Sequence, residues 1–195
     1  MKPITLADIR NLVEYEKIRK EFRTRIIELK KPRRIGVGPH MTFAFENRDT
    51  AIFQIQEMVR TERLVEDAAI EHEIEVYNQL VPGDHELSAT LLIEITEQAM
   101  IRPVLDSLVG LAYNSIFLKV GDHEIATQFD EGQSEEDRIS AVQYLKWKLS
   151  DEDVAAFRSP KSKVSLIARH KNYNYVTDLT PEEHQALLED LAESV

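Results

Sequence analysis

No cysteine occurs among the 195 residues, which excludes disulfides, thiolate zinc sites, cysteine-ligated iron–sulfur clusters and cysteine nucleophiles. Any metal would need His and carboxylate ligands. No run approaches the roughly 18–20 apolar residues of a membrane span, and the opening "MKPITLADIR" lacks the apolar core of a secretory signal. The expected address is therefore the cytoplasm, with no membrane partner. Positive charge is in the minority: 24 Lys and Arg face 35 Asp and Glu, and the net −11 repels phosphate backbones and argues against nucleic acid. His-Glu-x-x-His, Gly-x-Ser-x-Gly, the P-loop and Gly-x-Gly-x-x-Gly are all missing, so no established hydrolase, kinase or dinucleotide signature is present and no cofactor is expected.

What is present reads as a single α+β domain over 1–195, with a helical layer in 1–82 and a mainly antiparallel sheet with short helices in 83–195. Thr5 and Asp8 form a capping-box pattern, and apolar residues then recur at helical spacing to about residue 30, with a break allowed at Asn11. "MTFAFE" (41–46) alternates as a strand, and Asn47 or Asp49 caps a long helix through residue 80. After Pro82-Gly83-Asp84, the one credible boundary, "ELSATLLIEI" (86–95), the "SIFLKV"/"EIATQF" hairpin, the alternating part of 139–149 and "KVSLIARH" (163–170) read as strands. Helices are expected over 97–110, 150–157 with Ser150 as cap, and 181–193 with Pro181 in the first turn.

Two features stand out. Residues 17–34 hold nine Lys or Arg, among them Arg19, Arg23, Arg33 and Arg34, against Glu21 and Glu28, a local +7 in a chain of −11. Such a segment is either a solvated helix face or a dock for an acidic partner or phosphate-bearing ligand. On a single helix over 48–80, Glu62, Glu73 and Glu66 fall at about +20°, +40° and +60°, inside the apolar arc, with His72 at its edge. Carboxylates there need partners. Three arrangements supply them: an ion network with Arg23 and Arg25, a helix that leaves the core and wets them, or a metal or acid/base site of Glu62, Glu66 and His72. Ala69 stands where the ferritin-type Glu-x-x-His pair would need Glu, and Glu62 and His72 are about 15 Å apart along one helix axis. On the opposite face Arg60 and Arg63 form either a surface ladder with Gln56 and Asp67 or an anion clamp. The remaining histidines read as isolated surface residues.

The segments "YEKIRKEFRTRIIELKKPRRIGVGPHMTFAFENRDTAIFQIQEMVRTER" and "YNQLVPG" resemble an uncharacterised bacterial domain-of-unknown-function family of about this length. Its motifs correspond to Val37-Gly38-Pro39, Phe45-Glu46-Asn47-Arg48 and Gln54-Ile55-Gln56-Glu57-Met58. The chain departs from the pattern at His40, in place of Asn, which argues against an essential role for that histidine. The resemblance implies a genetic association with rubrerythrin-like proteins and iron–sulfur oxidoreductases, and no catalytic residues. Together with the basic segment, it sets the expectation of an accessory, partner-binding protein for a redox or peroxide-stress oxidoreductase. The alternative is a small metal- or ligand-binding enzyme with a carboxylate site on the long helix.

Overall fold

In strand β7 (Val142–Lys148), alternation buries Gln143, Leu145 and Trp147 on one face and turns Tyr144 and Lys146 to the other. The computed structural model describes residues 1–129, 138–159 and 162–192. In it β7 belongs to a five-stranded antiparallel sheet with β1 (Arg34–Val37), β2 (Met41–Glu46), β3 (Glu86–Ile93) and the short β6 (Gln128–Phe129), in the order β1-β2-β3-β7-β6. A second antiparallel sheet has the order β5-β4-β8-β9, from β4 (Ile116–Val120), β5 (His123–Ala126), β8 (Val164–His170) and β9 (Tyr173–Asp178).

The inner faces of both sheets share one apolar core. Phe43, Phe45, Leu91 and Trp147 come from the first, and Leu118, Leu166 and Ala168 from the second. Phe45 stacks on Trp147 with ring centroids 5.5 Å apart. Two short helices close this core, α5 (Asp151–Arg158) through Phe157 and α6 (Pro181–Ala192) through Leu187 and Leu191. The chain passes from one sheet to the other at Thr127, whose amide donates to the Ile116 carbonyl (3.1 Å) and whose hydroxyl donates to the Lys146 carbonyl (3.1 Å). On the far side β1 meets β9 without a ladder. Thr177 Oγ1 donates to the Gly36 carbonyl (2.9 Å) and Tyr173 Oη to the Val37 carbonyl (2.6 Å), so side chains occupy the edge of β1.

A second apolar cluster, including Ile4, Ala51, Ile55, Val59, Ile70 and Ile74, joins the N-terminal residues to α2 (Arg48–Glu62) and α3 (Asp67–Asn78). Helix α1 (Leu12–Lys30) lies against α2 through Tyr15, Phe22 and Phe53, whose rings meet edge to face. The remaining helix, α4 (Ile101–Ser107), follows a 3-10 turn at 98–100, with Pro103 in its first turn where a missing N–H is tolerated.

The α+β class is as the sequence predicts, and several boundaries are corrected. The expected helix over 48–80 is two helices, because Arg63 adopts the left-handed conformation (φ 55°, ψ 41°) and ends α2. Strand β1 was not among the expected strands, and β2 pairs with β3, so the sheet crosses the Pro82-Gly83 boundary. Asn11 caps α1, and the residues before it form a 3-10 turn at 6–8. Strand β9 was not expected. Glu193, assigned by pattern to the last helix, lies outside the described residues.

Candidate functional site

Lys20, Arg23, Ile27 and Lys30 recur at three- and four-residue spacings and so share one face of α1, and Lys31 follows as its C-cap. Four cations from this face and the neighbouring strand, Arg23, Lys30, Lys31 and Arg34, surround a depression of about 380 Å³ whose apolar lining is Ile26, Ile27 and Phe53. Ile26 is buried, whereas Ile27 is 45% exposed, large for an isoleucine in a helix that packs on a neighbour. Phe53 is held in place by the edge-to-face contact with Phe22, 5.8 Å between centroids.

The cations here are loosely neutralised. Lys31 Nζ is 2.6 Å from Glu28 and Arg34 Nη2 is 3.5 Å from Glu94, both exposed pairs of the kind worth about 0–1 kcal/mol and readily exchanged for another anion. Lys30 Nζ is 3.7 Å from Glu46 Oε2, an attraction without a hydrogen bond. Lys17, Lys20 and Arg23 have no ion pair among the described residues. The combination of a positive rim and an apolar floor suits an anionic group carried beside an apolar one.

Other predicted residues have structural partners. Arg33 is 3% exposed; its Nη2 donates to Asp190 Oδ1 (2.9 Å) and the Ala186 carbonyl (3.0 Å), its Nη1 to the Leu29 carbonyl (3.2 Å). Asn47 Nδ2 donates to the same Asp190 oxygen at 3.1 Å. Arg33 is thus removed from any docking face. Arg19 grips Glu57 bidentately (2.8 and 2.7 Å), and Tyr15 Oη donates to the same carboxylate at 2.6 Å. The Arg19 hydrogen bond is the main cause holding Glu57 below the usual carboxylate pKa, while burial and the Glu57 contact raise that of Tyr15. Arg60 turns to Glu16 of α1, 2.5 Å away, and Arg63 lies at the left-handed end of α2. The two arginines therefore do not occupy successive turns of one helix, as a clamp required.

The carboxylates of the expected long helix are corrected as well. Glu62 ends α2, Glu66 precedes α3 and His72 sits within α3; all three are exposed, and Glu73 is half-buried. A single helical phase carried through the break had wrongly placed Glu66 and Glu73, Glu62 is exposed at the last turn of α2, and the wet arrangement describes the exposed Glu62, Glu66 and His72. Among the described residues no three His, Asp or Glu side chains are grouped to hold a metal ion. Ser150, Asp153 and His123 do adjoin one another, but Ser150 Oγ donates to Asp153 (2.7 Å) and His123 Nδ1 contacts the other carboxylate oxygen (2.5 Å). The carboxylate lies between serine and histidine, so the imidazole does not face the hydroxyl as a Ser-His-Asp triad requires. Ser150 and Asp153 are the capping box of α5, tied to the β4–β5 hairpin.

The family motifs account for joints of the fold. Phe45 stacks in the core, Glu46 accepts from Thr90 (3.1 Å), Asn47 caps α2, and Arg48 meets Asp8 at 2.7 Å and the Lys2 carbonyl at 3.2 Å. Gln56, also buried, accepts from the Arg10 amide and donates to its carbonyl, fixing the chain ahead of α1. Sequence reasoning missed Ile27, Lys30, Lys31 and Phe53 as pocket residues. The spacing 20, 23, 27, 30/31 is a signal for the first three, whereas Phe53 joins them only through the packing of α2.

Fold and motifs together define an α+β protein of two antiparallel sheets flanked by helices. The chain belongs to the family described as protein of unknown function (DUF3501), whose model matches residues 3–191. It is similar to a solved protein of unknown function from Burkholderia pseudomallei, with a TM-score of 0.90 and 29% sequence identity over 97% of this chain and 100% of that one. No match is found among curated proteins. No helix among the described residues is long and apolar enough to cross a membrane.

Proposed function

We propose that this chain is an accessory docking protein that binds an acidic protein partner through the basic face of α1. The single observation behind this is the stripe Lys20, Arg23, Lys30, Lys31, joined by Arg34, of which Lys20 and Arg23 have no ion pair among the described residues. In a molecule of net charge −11, a strongly positive face steers an acidic surface to a defined place, while net negative charge disfavours it elsewhere. The partner class we take is the one the sequence resemblance implies, a rubrerythrin-like protein or an iron–sulfur oxidoreductase, met in the bacterial cytoplasm. The docking chain itself moves no electrons.

The test is co-expression of the tagged chain with a rubrerythrin-like protein and, separately, with an iron–sulfur oxidoreductase of the same bacterium, followed by affinity capture at low salt. Capture is expected to weaken with rising ionic strength and to fall at least tenfold with Lys20→Glu, Arg23→Glu, Lys31→Glu and Arg34→Glu combined. Arg19 and Arg33 are left intact because their loss perturbs folding. If the partners never associate, or associate equally with the charge-reversed chain, the proposal fails.

A further inference from the structure

The depression on the docking face has an apolar floor that charge attraction alone does not use. We infer that it is a recognition pocket for one leucine or phenylalanine side chain of an acidic peptide segment, with Asp or Glu two residues to either side of that anchor. This rests on the docking reading and makes it specific.

The geometry argues for a peptide over a small anion. Arg23 on α1 and Lys31 at its C-cap, which keeps helical backbone angles, are eight residues apart, about 12 Å along the axis. One carboxylate or phosphate head cannot span that distance. An extended peptide rises about 3.3 Å per residue, so acids at positions −2 and +2 lie about 13 Å apart on the same side as the central side chain. Those spacings place the anchor over Ile26, Ile27 and Phe53 while its acids reach the cations at both ends of the pocket. A volume near 380 Å³ is at the small end of the roughly 300–1,000 Å³ of ligand sites and suits a side chain with its flanking backbone. The exposed isoleucine at the centre of a basic stripe is the expected anatomy of an apolar anchor site with a polar rim.

The probes are acetyl-Glu-Glu-Ser-Leu-Ser-Glu-Glu-amide and its counterpart with Ser in place of Leu, titrated into the 15N-labelled full chain and followed by amide chemical shifts. The leucine peptide is expected to shift amides in residues 23–34 and at Phe53, and the serine peptide to bind at least tenfold more weakly. Ile27→Ser, a surface change that leaves the fold intact, is expected to remove the preference for leucine. Equal binding of both peptides overturns the pocket and leaves charge-driven docking standing. Silence with both peptides, while charge reversal still releases the partner, overturns the pocket alone; silence together with charge-insensitive capture overturns both.

Discussion

Tyr173 places its hydroxyl 2.6 Å from the Val37 carbonyl, to which it donates, and accepts the amides of His40 (2.9 Å) and Met41 (3.2 Å). One phenol from β9 thereby satisfies three backbone groups of the β1–β2 turn. Tyr173→Phe leaves them without that partner and is expected to destabilise the fold by about 2–4 kcal/mol. Urea denaturation measures it, and a loss below 1 kcal/mol would contradict the assignment.

The same turn explains Gly38. Its φ is +68°, and a Cβ there would lie 2.6 Å from Tyr173 Oη and 2.7 Å from the Tyr175 ring. Gly36, two residues earlier, has open space at that position. Gly38→Ala is expected to cost at least about 2 kcal/mol more than Gly36→Ala. Comparable unfolding midpoints for the two variants would show that the turn yields easily.

Arg33 and Asp190 form a buried pair, so removing either partner takes a counter-ion from a buried charge. Arg33→Met and Asp190→Asn are each expected to lose about 3–5 kcal/mol, with Arg33→Met and Asp190→Leu together recovering part of the loss. A double-mutant cycle by chemical denaturation gives the coupling. Additive losses would mean the two residues act separately.

Glu62, Glu66 and His72 are exposed, so Glu62→Gln combined with Glu66→Gln is expected to leave stability within about 0.5 kcal/mol of the parent. Differential scanning calorimetry checks this. A large shift of either sign would place those carboxylates in contacts that their exposure denies.

His123 and Asp153 make a pH-sensitive link between the β4–β5 hairpin and α5. The Asp153 hydrogen bond, then its charge, raises the His123 pKa, with Glu152 contributing. Burial pushes Asp153 upward, but the bonds from His123 and Ser150 outweigh it and hold the carboxyl below its ordinary value. The histidine contribution is therefore complete below about pH 6.5 and lost as pH rises through the elevated folded value. The Asp153 contribution is present above about pH 4 and lost as pH falls through the depressed one. NMR titration should find His123 above 6.5 and Asp153→Asn should return it toward that value; an unshifted His123 rules the link out.

Elements with strong periodicity were legible in the sequence. The alternation of 142–148, the strand at 41–46, the Ser150 cap and the Pro181 start all stand where the pattern put them. Strand β1 was hidden because Pro32, Gly36 and Gly38 interrupt any alternation over this short stretch, and its register depends on β2. The break at Arg63 was hidden for the opposite reason: Leu64 and Val65 continue the apolar pattern, and no Gly or Pro marks the left-handed residue. That one missed break displaced Glu66, His72 and Glu73 in the inferred site. The basic segment was plain from composition, but which of its arginines are spent on structure depends on Glu57 and Asp190, 38 and 157 residues away from Arg19 and Arg33.

The seam between β1 and β9 also sets an order of events during synthesis. Strand β1 gains its ladder as soon as β2 follows it, yet the carbonyls on its other edge wait for Thr177 and Tyr173, 141 and 136 residues further along. A ribosome adding about 5–20 residues per second holds that edge open for roughly 7–28 seconds, long enough for a neighbouring nascent chain to pair with it. Aggregation of this protein during expression is therefore expected to depend on how fast the last hairpin emerges, and a truncation before residue 173 should be far less soluble than its loss of core alone predicts.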